Sequence, residues 1–322
     1  MAVISKDLAK ACELLSRGEV IAIPTETVYG LAGNYFNSSA IEKIYAIKNR
    51  PRKNPLIMHV SGMEQLMQYV DQIPENAMKL ADEFWPGPLT LLLPKGKQLE
   101  DKVNVHLTNI AIRVPAHPLT LELLKMLPFP LAAPSANPYG YISPTNARHV
   151  HSMLGEKIDF ILDGGDCSKG LESTIVGFEA GIPVIYREGM ISREDIIAVT
   201  GEVKMFDNKQ NEQLAPGMSK SHYSPRTRFY LTNDILKVVG TQKGQRLGLL
   251  CFQQYYPGIN KEHQVILSAD AQLEEAAKNL YEALHHLDSL GLDLIIGEWV
   301  PDEGIGRAIN DRLKRAAHEI ID

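Results

Sequence analysis

The chain has 322 residues, a formal net charge of -6 and 44% hydrophobic content, an ordinary balance for a folded globular protein with room for two cores at about 100–200 residues per domain. The acidic excess gives no reason to expect bulk attraction to polyanions, so strong nucleic-acid binding is not expected and any nucleotide contact must come from local cations. Cys12, Cys167 and Cys251 are too scattered to suggest a disulfide framework or a zinc site, and no apolar run approaches the roughly 20 residues that span a bilayer, so a cytoplasmic protein is expected.

Residues 1–18 mix Lys6, Asp7, Lys10, Glu13 and Arg17 with apolar residues at helical spacing, which predicts a surface helix over 5–16 and not the apolar core of a secretion signal. Short β-rich runs then alternate with helical patterns. Strands are predicted over 20–24, 56–60, 89–94, 110–114, 131–134, 160–163, 173–178 and 183–186, and helices over 39–48, 65–69, 75–84, 118–126, 146–153 and 193–199. That alternation is the mark of a mixed α/β layer architecture. Ser38 and Ser39 read as the cap of a helix that delivers Lys48 and Arg50 at its C-terminal end, where the dipole favours cations and Pro51 stops the helix.

From about residue 201 to 228 the chain is polar and aperiodic, with Asn208, Lys209, Gln210, Asn211, Glu212 and Gln213 ahead of Pro216, Gly217 and Pro225; this reads as an interdomain linker. Beyond it, strands over 229–231, 247–252, 265–267 and 294–296 and helices over 273–290 and 305–317 predict a small, mostly parallel, doubly wound sheet. Its Gly297, Gly304 and Gly306 lack the G-x-G-x-x-G spacing of a dinucleotide site.

Several polar clusters interrupt the first region. Thr25-Glu26-Thr27 follows an apolar run and can be an exposed edge strand rich in threonine or the wall of a cleft. Lys48-Asn49-Arg50 is by itself an ordinary solvated helix end. Arg113 interrupts an apolar strand, which is costly unless its planar fork meets a carboxylate, of the protein or of a ligand, or a phosphate. Ser173 lacks the Gly-x-Ser-x-Gly frame of a nucleophile, and His59 by itself reads as a satisfied strand-end histidine. There is no Walker A sequence and no zinc-protease H-E-x-x-H.

Taken in order, Pro24-Thr25-Glu26-Thr27-Val28-Tyr29-Gly30-Leu31, Lys48-Asn49-Arg50, Asn54-Pro55-Leu56, Ser135-Ala136-Asn137, Gly164-Gly165, Glu172-Ser173-Thr174-Ile175, Tyr186-Arg187-Glu188-Gly189, Ala215-Pro216-Gly217-Met218 and His222-Tyr223 resemble the YrdC/Sua5 family of threonylcarbamoyl-AMP synthases, in its longer form. The resemblance implies a YrdC-like catalytic domain with a twisted mixed sheet over residues 1–205, a linker or lid over 206–227 and a Rossmann-like Sua5 domain over 228–322. It implies L-threonine, bicarbonate and ATP as substrates, magnesium carried by the ATP phosphates, and a transferase that passes the product to tRNA. Lys48, Arg50, Ser135 and Asn137 would be catalytic. Asn54, Asn109, Ser143, Arg187 and Tyr223 would join Arg50 and Ser135 around ATP, and Thr27, His59, Arg113, Ala133 and Ser173 would hold threonine. Ser219-Lys220-Ser221 departs from the family's linker by placing the cation one position later. A carbamoyltransferase-type maturation enzyme and a non-catalytic RNA-binding module remain as alternatives.

Overall fold

The computed structural model describes residues 1–99, 108–207 and 223–321. Its first sheet contains β1 (Val3–Ser5), β2 (Ile21–Ile23), β3 (Gly30–Asn34), β4 (Met58–His59), β5 (Leu89–Pro94), β6 (Asn109–Arg113), β7 (Leu131–Ala132), β8 (Phe160–Leu162), β9 (Thr174–Glu179), β10 (Ile182–Arg187) and β11 (Lys204–Met205). The spatial order is β1-β8-β2-β3-β7-β4-β6-β5-β9-β10-β11, with parallel and antiparallel pairs mixed. One apolar cluster packs beneath the helices Ser38–Lys48, Glu75–Phe84 and Ala147–Leu154, and a second gathers Leu123 and Leu124 of helix Pro118–Met126 with Ala11 and Leu15 of helix Leu8–Ser16.

Three of these strands differ from the sequence reading. β3 reads Gly-Leu-Ala-Gly-Asn, a composition of low strand propensity, yet it pairs with β2 and β7 inside the sheet. The glycine has a packing reason: a Cβ on Gly33 would come within 3.2 Å of Ile44 and 3.3 Å of Ala40 on helix Ser38–Lys48. β1 ends at Ser5, the expected start of the first helix, and that helix begins only at Leu8 with Asp7 accepting from the Lys10 N–H. β1 and β11 are short edge strands that carry no periodic signal. The cap of helix Ser38–Lys48 is Asn37, whose side chain accepts from the Ala40 N–H, and not Ser38 or Ser39, which lie inside the helix.

The second sheet contains β12 (Arg228–Thr232), β13 (Leu247–Cys251), β14 (Gln264–Ile266), β15 (Leu294–Glu298) and β16 (Glu319–Ile321), in the order β14-β13-β15-β12-β16 with every pair parallel. Helices Leu273–Ser289 and Gly306–Ala316 match the expected periodic segments. The short helix Ile235–Thr241 escaped the reading because Val238, Val239 and Gly240 weaken its propensity; Asp234 caps it by accepting from the Lys237 N–H. The core of this unit continues across the seam: Val28, Ile142, Leu171 and Met190 of the first unit join Tyr223, Leu280, Tyr281 and Leu284 in one apolar cluster. Among the described residues no helix is long and apolar enough to cross a membrane.

Candidate active site

A cavity opens where strand ends of the first sheet meet the seam. Thr25, Thr27 and Val28 reach it from the loop after β2, Gly30 from the start of β3, Ile57 and His59 from β4 and its lead-in, and Arg113 from the end of β6. Ala133, Pro134 and Ser135 follow β7, Glu172 and Ser173 precede β9, Arg187 ends β10, and Arg50 and Tyr223 complete the wall. Strand ends and their loops can turn polar side chains inward without breaking a ladder, which is why polar groups separated by up to two hundred positions converge here. The free volume is about 50 Å³, well below the roughly 300–1,000 Å³ of small-molecule pockets, with Tyr223 only 1% exposed.

The Thr25-Glu26-Thr27 segment is a buried loop, not an exposed edge strand. Thr25 Oγ1 lies 2.9 Å from Thr27 Oγ1 and donates to the Val28 carbonyl at 2.7 Å. Arg113 is held in three directions: Nη2 donates to Glu26 Oε1 at 2.6 Å, Nη1 to Thr27 Oγ1 at 2.9 Å and Nε to the Gly87 carbonyl at 3.2 Å. Glu26 also accepts from the Ala116 N–H at 3.0 Å. Arg113 thus has its salt bridge to a protein carboxylate and lines the cavity as well. Burial first, and the charge of Arg113 second, push His59 down to about 3, so its imidazole is neutral at physiological pH. Its Nδ1 lies 3.3 Å from the Ile57 carbonyl; with the proton there, Nε2 is left as an acceptor.

On the other side, Arg187 donates through Nη2 to the Ser173 carbonyl at 2.9 Å and to Ser173 Oγ at 3.1 Å, and Ser173 Oγ lies 2.7 Å from Thr90 Oγ1. Gly189 follows closely because a Cβ there would strike the Glu172 carbonyl at 2.4 Å. Arg50 is clamped by the Asn54 and Pro55 carbonyls at 3.3 and 3.0 Å, and burial lowers it to about 10, still protonated at neutral pH.

Lys48 and Asn137 stand behind this wall and do not line it. Lys48 is 1% exposed and not a solvated helix end; its ammonium donates to the Ser135 carbonyl at 2.5 Å and the Asn137 carbonyl at 2.6 Å. Asn137 Nδ2 donates to the Pro138 and Tyr141 carbonyls at 3.0 and 2.8 Å. Ser143 is also outside the lining, with its hydroxyl on Glu172 Oε1 at 2.7 Å. Asn54 is buried with Oδ1 lacking a partner among the described residues. Asn109 opens β6 opposite Pro94. The linker reading over 206–227 falls largely on residues 208–222, outside the described residues. Sequence reasoning gave no site role to Val28, Gly30, Ile57, Pro134 or Glu172, nor to the two C-terminal side chains that reach Glu172, Tyr281 and Arg312; only an apolar helix face interrupted by an arginine hinted at the last.

Comparison with known proteins adds a family. A family model described as telomere recombination matches residues 13–189, and one described as the C-terminal domain of threonylcarbamoyl-AMP synthase matches residues 191–318. The threonylcarbamoyl-AMP synthase of Bacillus subtilis is 40% identical over 320 residues, which cover 96% of this chain and 92% of the relative. That of Pyrococcus abyssi is 36% identical over 321 residues, covering 95% and 93%. The crystal structure of P. abyssi Sua5 complexed with L-threonine is similar with a TM-score of 0.90 at 35% identity, covering 99% of both chains.

Proposed function

Because the chain belongs to the YrdC/Sua5 family of threonylcarbamoyl-AMP synthases, we propose that its cavity joins L-threonine, bicarbonate or CO2 and ATP into L-threonylcarbamoyl-AMP with release of pyrophosphate. The observation that carries this reading is the convergence of Thr27, His59, Arg113, Ala133 and Ser173 with Arg50, Ser135, Arg187 and Tyr223 around one cavity. In this assignment the first group holds threonine: Arg113 faces the α-carboxylate, and neutral His59 accepts from the substrate hydroxyl or amine.

The threonine amine adds to CO2, giving a carbamate and a proton. A carbamate oxygen then attacks the α-phosphorus of ATP, and the bond to the β-phosphate oxygen breaks. Arg50 and Arg187 offset the charge that gathers on the phosphates, and Ser135 bonds their oxygens. Lys48 and Asn137 act by holding the Ser135–Asn137 backbone in place. No covalent enzyme intermediate is required, so positioning and charge stabilisation supply the rate. Magnesium would arrive with the ATP phosphates and neutralise the leaving pyrophosphate; among the described residues no cluster of three or more His, Cys, Asp or Glu side chains forms a cage for it.

The product is a mixed anhydride, suited to a transferase that builds N6-threonylcarbamoyladenosine in tRNA. The test is pyrophosphate release that requires both threonine and bicarbonate, with the nucleotide product identified by mass. Release without threonine, or AMP as the sole product, would overturn the reading.

A further inference from the structure

Glu172 stands at the boundary between the cavity and the C-terminal unit. It is 6% exposed, and its carboxylate accepts from Ser143 Oγ at 2.7 Å, from the Tyr281 hydroxyl at 2.9 and 3.1 Å and from Arg312 Nε at 2.9 Å. Tyr281 belongs to helix Leu273–Ser289 and Arg312 to helix Gly306–Ala316, so two of the three donors come from outside the catalytic sheet.

Arg312 reaches the same region by two other routes. Its Nη2 donates to the Glu188 carbonyl at 2.9 Å, one residue from Arg187. Its guanidinium lies 5.1 Å from the centroid of the Tyr223 ring, which stacks on Tyr281 at 5.7 Å. These contacts run to Ser143, to Glu188 next to Arg187, and to Tyr223. The bonds given above for Thr27, His59 and Arg113 stay within the first unit, as do those of Ser173, although Ser173 is tied to Arg187.

We infer that Arg312 and Tyr281 are positioning residues through which the C-terminal unit sets the use of ATP, by neutralising Glu172 and seating Tyr223 and the Arg187 segment, while threonine binding is built by the first unit. The inference rests on the cavity assignment proposed above. The cavity must accept a polyanion, and a buried carboxylate in its wall would repel phosphates unless a cation is paired with it. Removing one partner of a buried pair is far more damaging than removing both, because the survivor is left charged and desolvated.

The experiment uses the full chain and measures pyrophosphate release against ATP and against threonine separately. Arg312→Gln should raise the KM for ATP about tenfold or more, with the KM for threonine within about threefold of the parent. Glu172→Gln in the Arg312→Gln background should recover the part of that loss due to the unpaired carboxylate, but not the part due to the lost contacts with Glu188 and Tyr223. Tyr281→Phe, which removes one hydroxyl and keeps the ring, should raise the KM for ATP a fewfold. Equal changes in both KM values, or a double variant no better than Arg312→Gln, would overturn the inference. If Arg312→Gln does not fold, an unchanged KM for ATP in Tyr281→Phe overturns it. Calorimetric binding of α,β-methylene-ATP to the same variants separates this failure from failure of the synthase reading: parent protein without threonine-dependent turnover refutes the latter, while the analogue still reads the effect of Arg312.

Discussion

The Lys48 ammonium donates to the Asn137 carbonyl at 2.6 Å from a position that is 1% exposed, so two motifs 89 positions apart are a single buried joint. The Tyr139 N–H returns a bond to the Lys48 carbonyl at 2.7 Å, and the helix end and the 135–141 loop are stitched in both directions. Burial lowers the Lys48 pKa, yet three donors on the ammonium match the carbonyls of Ser135 and Asn137 better than any apolar side chain could.

Lys48→Ala should therefore lose stability as well as synthesis. Each orphaned carbonyl costs about 1–3 kcal/mol, so a clear fall in the thermal midpoint is expected beside the activity loss. Unfolding followed by circular dichroism checks it; a midpoint equal to the parent's would show that the joint carries no stability.

Arg113→Lys should weaken threonine binding. A lysine cannot reproduce contacts to Glu26, Thr27 and Gly87 at once, and charged hydrogen bonds are each worth about 1.5–3 kcal/mol. Threonine affinity by calorimetry should drop roughly tenfold to a hundredfold. Unchanged affinity would remove Arg113 from the amino-acid subsite.

Valine should compete poorly with threonine. The Thr25, Thr27 and Ser173 hydroxyls are already bonded within the protein, so the discriminating group is the neutral His59, whose Nε2 is left unpaired when a methyl replaces a substrate hydroxyl that donates to it. Sites that bond a substrate hydroxyl discriminate by up to about 10⁴. Competitive titration in which the two amino acids bind equally would refute this account.

Acid should loosen the seam. His285, on helix Leu273–Ser289, stacks on His149 with ring centroids 3.9 Å apart and bonds the Ser143 carbonyl at 3.1 Å. Burial, then the neighbouring His149, push it down to about 4. The unfolded chain takes up a proton near the usual 6.5 and the folded one only near 4, so this contribution is complete above about 6.5 and is lost as pH falls through that window. His285→Gln should flatten the dependence of the thermal midpoint on pH between 6.5 and 4. It should not abolish it, because His59, pushed down to about 3, acts with the same sign. An identical slope in the variant would exclude His285 as a source. Glu172 enters only at lower pH: burial would raise it, but the charges of Arg312 and Arg187 hold it at about 2, so its contribution goes as pH falls from about 4.5 toward 2.

The order of short polar motifs determined the family by itself, because the residues that turn polar at strand ends do so in a fixed sequence whatever surrounds them. Strands with strong apolar runs, such as β5 and β9, and the amphipathic helix Leu273–Ser289 were legible for the same local reason: their periodicity is written in neighbouring residues. β3 was not, since glycine and alanine carry no strand signal and its place comes from the helix that packs on it. Which motif residues face the cavity was likewise a tertiary decision. Arg50 reaches the wall while Lys48, two positions earlier, points back to the Ser135 and Asn137 carbonyls. The reach of Arg312 to Glu172 depends on two units packing on each other, and contact between residues 140 positions apart leaves no trace in local spacing.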